Sequence, residues 1–219
     1  MRVLVMATVG AALLFGSSRA HAQDTFGAKG AAAFGADRLF SIHSTHVSSD
    51  TDGGSVSQTF TGIGFAWNGP TQPSPYDVPR LGFDYFLFDH FSLGGSLAYA
   101  SLSWEEPAGN GQSVSRSGSA FLLAPRVGYV WMFSGSVGFW LRGGLSYHSY
   151  AYSNLNADER GLGLSAEGTF VFAPTSHFAF TLGPSLDLDL FGSYDDGDGH
   201  SLDRLYRVIG VQVGLLGWL

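Results

Sequence analysis

The chain has no cysteine, and its 219 residues include a single lysine, Lys29. Without cysteine there is no disulfide framework, no thiolate nucleophile and no site for lipid attachment behind a leader. Charged residues make up only 13% of the chain, about half the usual share. Soluble sheet proteins place lysine on exposed faces and edges to hold water and block aggregation, and this chain has almost none to place. Beyond its first residues no run of 18 apolar residues occurs, which excludes a transmembrane helix. No Gly-rich phosphate loop, no Cys/His metal spacing and no basic face for nucleic acid is present. Nothing implies a cofactor.

What is abundant is glycine, 31 residues, and aromatic side chains, 15%. The chain opens with Arg2, an apolar run from Val3 to Phe15, and Ala20-His21-Ala22, a small-x-small cleavage site. These three parts in this order predict a secretory signal peptide over residues 1–22 and one domain over 23–219. Cleavage would remove Arg2 and Arg19 and leave the remainder more acidic by two charges.

Alternation of residue type recurs along the rest. In 177–191, Phe178, Phe180, Leu182, Pro184, Leu186, Leu188 and Leu190 stand against Ala179, Thr181, Gly183, Ser185, Asp187 and Asp189. Segments 80–88, 91–104, 117–133, 137–152, 161–173 and 204–218 repeat the pattern, with one face apolar and the other small, hydroxylic or charged. A period of two predicts strands. Tight turns at 89–90, 134–136 and 174–176 alternate with longer polar loops at 105–116, 153–160 and 193–203. Aromatic residues fall in two bands. Phe86, Phe88, Phe91, Trp131, Phe133, Phe139, Trp140, Phe172 and Phe178 lie near the short turns. Tyr99, Trp104, Tyr147, Tyr150, Tyr152, Phe191 and Tyr194 lie toward the long loops. An exterior that is apolar without helices needs a closed barrel in lipid, and sorted turns with two aromatic girdles fit a bacterial outer-membrane barrel.

Segments 30–47 and 57–67 also read as strands, which makes nine where an even number is the rule. The prolines at 70, 73, 75 and 79 favour loop over spanning strand. The expected fold is therefore all-β, a closed antiparallel transmembrane barrel of eight strands. Its first strand is 30–47, and 48–79 is one outer excursion containing a short extra strand. Ten strands is the alternative. Pro184 lacks a ladder donor, so a bulge is expected there.

With its leader, alternating strands, sorted turns and a last strand at the C-terminus, the chain resembles the small outer-membrane barrels of Gram-negative bacteria, of the OmpX, OmpW and OmpA-barrel kind. PRLGFDYFLFDHFSLGGSLAY and APRVGYVWMFSGSVGFWLRGGLSYHS are similar to hairpins of such barrel domains. The resemblance implies export to the cell outer membrane and contact with its lipid and lipopolysaccharide. It also implies recognition of the last strand by the insertion machinery, with Trp218 penultimate and Leu219 last. It names no activity and no specific protein partner.

If the apolar face meets lipid, the lumen receives Asp84, Arg126, Arg142, Glu167, Asp187 and Asp189, with Gln212. Eight strands enclose a space that side chains fill, and charges there must pair. The expected reading is a salt-bridge network plugging the interior. Were a path open, its negative balance would favour cations. Asp195, Asp196 and Asp198 lie in DDGDGH, which departs from the calcium-loop template and reads as a hydrated loop tip, with weak divalent cation binding as the sharper alternative. His148-Ser149 near Asp158 and Glu159 raises a rim-active lipid-modifying enzyme. Adjacent strand residues face opposite ways, which is wrong for a nucleophile and its base. The expectation is a non-enzymatic barrel with a structural or surface-interaction role, or passage of small solutes. A soluble lipocalin-like ligand-binding barrel is the third reading.

Overall fold

The computed structural model describes residues 25–51, 54–65, 74–108, 112–152, 157–198 and 200–219; the expected leader over 1–22 lies outside them. Among the described residues nine strands account for nearly all of the chain. They are β1 (Ala32–Thr51), β2 (Gly54–Phe65), β3 (Arg80–Phe88), β4 (Phe91–Ala108), β5 (Gln112–Met132), β6 (Val137–Tyr152), β7 (Ala157–Thr175), β8 (Phe178–Asp195) and β9 (Ser201–Trp218). A single 3-10 turn, Pro75–Asp77, is the one helical piece among them. Each of β3 to β9 pairs antiparallel with the next, and β9 returns to β1, so the sheet closes on itself.

The ring has eight positions because β2 and β3 share one. The lower part of β1 pairs with β3, from Ala32 opposite Tyr85 to Asp37 opposite Arg80. Its upper part pairs with β2, from Phe40 opposite Phe65 to Thr51 opposite Gly54. β2 and β3 thus lie along the same edge of β1, separated by residues 66–79; among the described residues β2 pairs with β1 alone, whereas β3 pairs with β4 as well. This corrects the expectation that 48–79 forms an outer excursion. Residues 54–65 continue the wall, and Ser74–Pro79 turns inward, burying Pro75, Tyr76 and Asp77. The prolines mark a break but not its direction. The outward positions of β2 above Ile63 are Thr61, Thr59, Ser57 and Ser55, so the strand lacks the hydrocarbon stripe that identifies its neighbours.

Strand after strand, exposed apolar side chains alternate with buried polar or small ones. In β8, Phe180, Leu182, Leu186 and Leu190 are exposed, whereas Ala179, Thr181, Ser185, Asp187 and Asp189 are buried. Phe88, Trp131, Phe133 and Phe178 form an outward girdle at the short-turn end, and Tyr99, Tyr147 and Phe191 one toward the other end. Phe86 and Trp140 do not belong to the lower girdle; both are fully buried inside. Tyr150 and Tyr194 flank the buried Glu159 in register and so face the lumen as well.

The strands outrun their sequence-based limits at the outer end, where β7 begins at Ala157, β8 ends at Asp195 and β9 begins at Ser201. Polar residues pair their backbones equally well, but with water on both faces the alternation that signals a strand is lost. The bulge expected at Pro184 is absent. The β8–β9 register runs unbroken from Phe178 to Leu188, with Pro184 opposite Val211. The proline faces β7 at Gly168, where a Cβ would stand 3.9 Å from its ring, so a lost rung is accommodated without a shift of register.

Candidate functional site

The lumen is filled in three storeys. At the short-turn end the segment before β1 folds back and inserts Phe26, 2% exposed, into an aromatic box. Its ring meets Phe86 and Trp140 edge-on at 5.4 and 5.2 Å, and Trp218 at 5.3 Å. Gly27 and Gly30, at φ of 90° and 89°, supply the reversals this needs. His90 donates its backbone N–H to the Gly27 carbonyl at 2.7 Å, and Ala32 and Leu219 exchange backbone hydrogen bonds at 3.0 Å. Both chain ends of the barrel are thereby tied to the same rim.

Above this box lies a disc of ions. Arg126 holds Asp84 at 2.6 Å and Asp37 at 2.8 Å. Arg142 holds Glu167 at 2.7 Å and Asp37 at 3.1 Å, with its guanidinium 4.4 Å over the Trp140 ring. Arg38 reaches Asp187 at 2.7 Å and Glu167 at 3.2 Å, while Arg80 meets Asp187 at 3.4 Å. Ser165 donates a further hydrogen bond to Asp187. All eight ionic side chains are nearly sealed from solvent. Four guanidinium groups thus face the four carboxylates of Asp37, Asp84, Glu167 and Asp187. The disc is formally neutral, and the negative excess of the lumen lies outside it, in the buried Asp77, Asp189 and Glu159. Gly82 is glycine because a Cβ would stand 2.7 Å from an Arg126 nitrogen and 2.8 Å from an Asp37 oxygen.

The third storey is built around the inward turn. The Tyr76 hydroxyl donates to Asp189 at 2.5 Å and lies 3.2 Å from the Ser146 hydroxyl, and its ring packs edge-on against His148. His148 contacts Asp189 at 3.2 Å, and the Tyr206 backbone N–H donates to Asp189 at 2.9 Å. Asp189 therefore belongs to this group and not to the arginine disc with which the sequence grouped it. Asp77 stands 3.2 Å from His43 and accepts from Thr45. The Tyr76 carbonyl accepts from Arg38 at 2.8 Å and Arg80 at 3.3 Å, so the disc holds the turn by its backbone. Ala98, Leu122, Ala124, Tyr206 and Val208 close around the ring.

Of the further lumen residues, Asp37, His43 and Arg80 keep the buried phase of their strands, whereas Arg38 breaks it and Tyr76 and Asp77 lie in the inward turn. Asp37 and Arg38 are consecutive yet both buried. The register slips between Ala36 and Phe40, and Arg38 takes a left-handed φ of 59°, which turns its side chain inward beside that of Asp37. The available signal was two ionic residues in a row at membrane depth, where one of them could not face lipid.

The acidic loop is self-contained. Asp195 accepts from the Gly197 N–H, and Asp196 accepts from the N–H groups of Asp198 and His200 and contacts the His200 ring. The N–H of Asp198 and then that of His200 hold the Asp196 carboxyl below its usual range. Among the described residues no group of three or more acidic or histidine side chains is placed to hold a metal ion.

An apolar exterior around a sealed polar interior defines a small transmembrane β-barrel. No family model and no curated relative matches the sequence. Among solved structures, the chain is similar to the outer membrane protein OprG from Pseudomonas aeruginosa, at 13% identity over 86% of this chain and 96% of that one, with a TM-score of 0.48. It is similar to Neisserial surface protein A at 12% identity, 86% and 99% coverage and a TM-score of 0.47. The outer membrane protease OmpT from Escherichia coli matches at 9% identity, 87% and 97% coverage and a TM-score of 0.40. Likenesses this distant carry no function across, and the functional reading rests on this chain's own residues.

Proposed function

We propose that this chain is a non-enzymatic outer-membrane barrel with a structural and surface-presenting role, whose lumen is closed to solutes. The observation that carries the reading is the filled interior: the Phe26 box, the neutral ion disc and the Tyr76 storey lie one above another across the barrel axis. Conduction needs a continuous wet path, and paired, nearly solvent-free ions leave none.

The rim-enzyme alternative finds no support in the geometry. His148 is fully buried against the Tyr76 ring, and Ser149 points to the opposite face of β6. The strands instead continue outward beyond the apolar belt as polar hairpins, which is the surface a presenting role uses. Reconstitution into planar bilayers tests this reading. Inserted protein should give a quiet membrane, and steady ion currents from heat-modifiable, folded protein would overturn the closed-lumen claim. Recovery of the mature chain in the soluble periplasm would overturn the membrane claim itself.

A further inference from the structure

Charged residues on the outward face are few, and they are not distributed evenly in depth. Arg160 is outward and exposed but neutralised by Asp158 at 2.6 Å on the same strand. Arg207 is outward and exposed on β9, and among the described residues no acidic side chain forms an ion pair with it. It stands directly opposite His46 of β1, whose Nδ1 lies 3.0 Å from the Thr59 hydroxyl of β2. Ser44 and Ser48 of β1 and Thr61 of β2 share that outward face, one pairing below or above. In register with Arg207 on its other side, β8, β7 and β6 carry Leu188, Leu164 and Leu145. The outward acids Asp50 and Asp203 are paired with each other two outward-facing positions further out, on the order of 13 Å along the strand.

Depth gives this cluster its meaning. Gly217 lies opposite Phe178 in the lower aromatic girdle. From Gly217 to Arg207 the strand climbs about 26 Å, at ~3.4 Å per residue and a tilt of ~40°. That matches the roughly 25 Å height of an apolar band. Immediately below Arg207 come Ile209 and Val211, exposed and aliphatic. A guanidinium at that level lies at the outer headgroup boundary, where the available anions are lipid phosphates.

We propose that Arg207 and His46, with the hydroxyls of Ser44, Thr59 and Thr61, form an outward-facing site for the phosphate of an outer-leaflet glycolipid. The inference rests on the outer-membrane reading above and deepens it by naming the lipid contact. Arg207 supplies a planar fork of N–H donors, the geometry that suits a phosphate. His46 presents its second ring nitrogen, and the hydroxyls offer further donors to phosphate or sugar oxygens. Thr59 and Thr61 are the hydroxyls of β2 that stand at the level of this site.

The test uses the full chain folded into phosphatidylcholine nanodiscs containing lipid A with either two phosphates or none, with retained lipid counted by native mass spectrometry after detergent release. Wild type should retain the bisphosphorylated form selectively. R207Q should retain about fivefold less of it, the size of one arginine's attraction to an anionic lipid surface. R207K should fall between the two, and R160Q, whose charge is already neutralised, should match wild type. Equal retention by R207Q and wild type, equal loss in R160Q, or indifference to the phosphates would each overturn the site. Heat-modifiable gel mobility establishes that each variant is folded, and should R207Q fail this check, H46Q and R207K carry the comparison. A wild-type chain that never enters the nanodisc would instead defeat the membrane reading, which is a separable outcome.

Discussion

Glu167 sits where three guanidinium groups converge, 2.7 Å from Arg142, 3.2 Å from Arg38 and 3.6 Å from Arg126. Each of those ions has given up water, so the worth of the pairing lies in what its loss would leave behind. E167Q keeps the shape but leaves excess positive charge in a space without solvent, and should cost about 3–5 kcal/mol. The outward Arg160–Asp158 pair is water-facing, with the Arg160 side chain 64% exposed, and R160Q should cost at most about 1 kcal/mol. Urea unfolding from lipid vesicles, followed by the gel shift of folded barrel, measures both. Equal midpoints for the two variants would mean that the disc is wetter than its geometry indicates. Asp84, Arg126, Arg142, Glu167 and Asp187 were legible as lumen residues because each stands opposite hydrocarbon in a period of two. Their exact partners were not, because register sets them and Arg38 enters through a left-handed conformation that no alternation rule anticipates.

Among the elements, the interrupted strand separates what sequence discloses from what it conceals. β3 to β9 carry largely apolar outward stripes, and consecutive strands are neighbours around the ring. β2 carries threonine and serine on its outer face, and its continuation into β3 is visible only through pairing with a common partner, β1. The inward turn between them is held at its tip by one side chain. Gly163 leaves the room, since a Cβ there would lie 2.8 Å from the Tyr76 hydroxyl. Y76F retains the ring and loses the bonds to Asp189 and Ser146, a cost of about 1–3 kcal/mol. Y76A also empties a space ringed by Leu122, Ala124 and Val208, raising the cost to about 3–5 kcal/mol. Limited proteolysis of folded protein in vesicles should leave wild type and Y76F intact and cut Y76A between β2 and β3. Resistance of Y76A would show that Arg38 and Arg80, through the Tyr76 carbonyl, suffice to hold the turn.

At the scale of the whole molecule, the question is which solvent the apolar exterior meets. Composition posed it, through one lysine and many exposed leucines, and the closed ring sharpens it, since no sheet remains to cover that face. In water, an arginine in place of an exposed leucine would be neutral or helpful to a barrel of this kind, as it reduces exposed hydrocarbon. In a bilayer the same change costs about 2–4 kcal/mol at the midplane and about 0–1 near the interfaces. Leu182, 43% exposed on β8, lies near mid-height between Phe178 and Leu188, and Ser193 lies on the same strand beyond the belt. L182R should therefore lower the unfolding midpoint in vesicles strongly, and S193R hardly at all. The decisive quantity is the difference between the two positions, because strand propensity and folding yield affect both alike. A depth-dependent cost requires a hydrocarbon slab outside the barrel, whereas a flat or reversed response would return the chain to the soluble ligand-binding reading. The filled lumen weighs in the same direction, since a soluble barrel that carried a ligand would keep its interior apolar and open, and this one is crossed by four paired arginines.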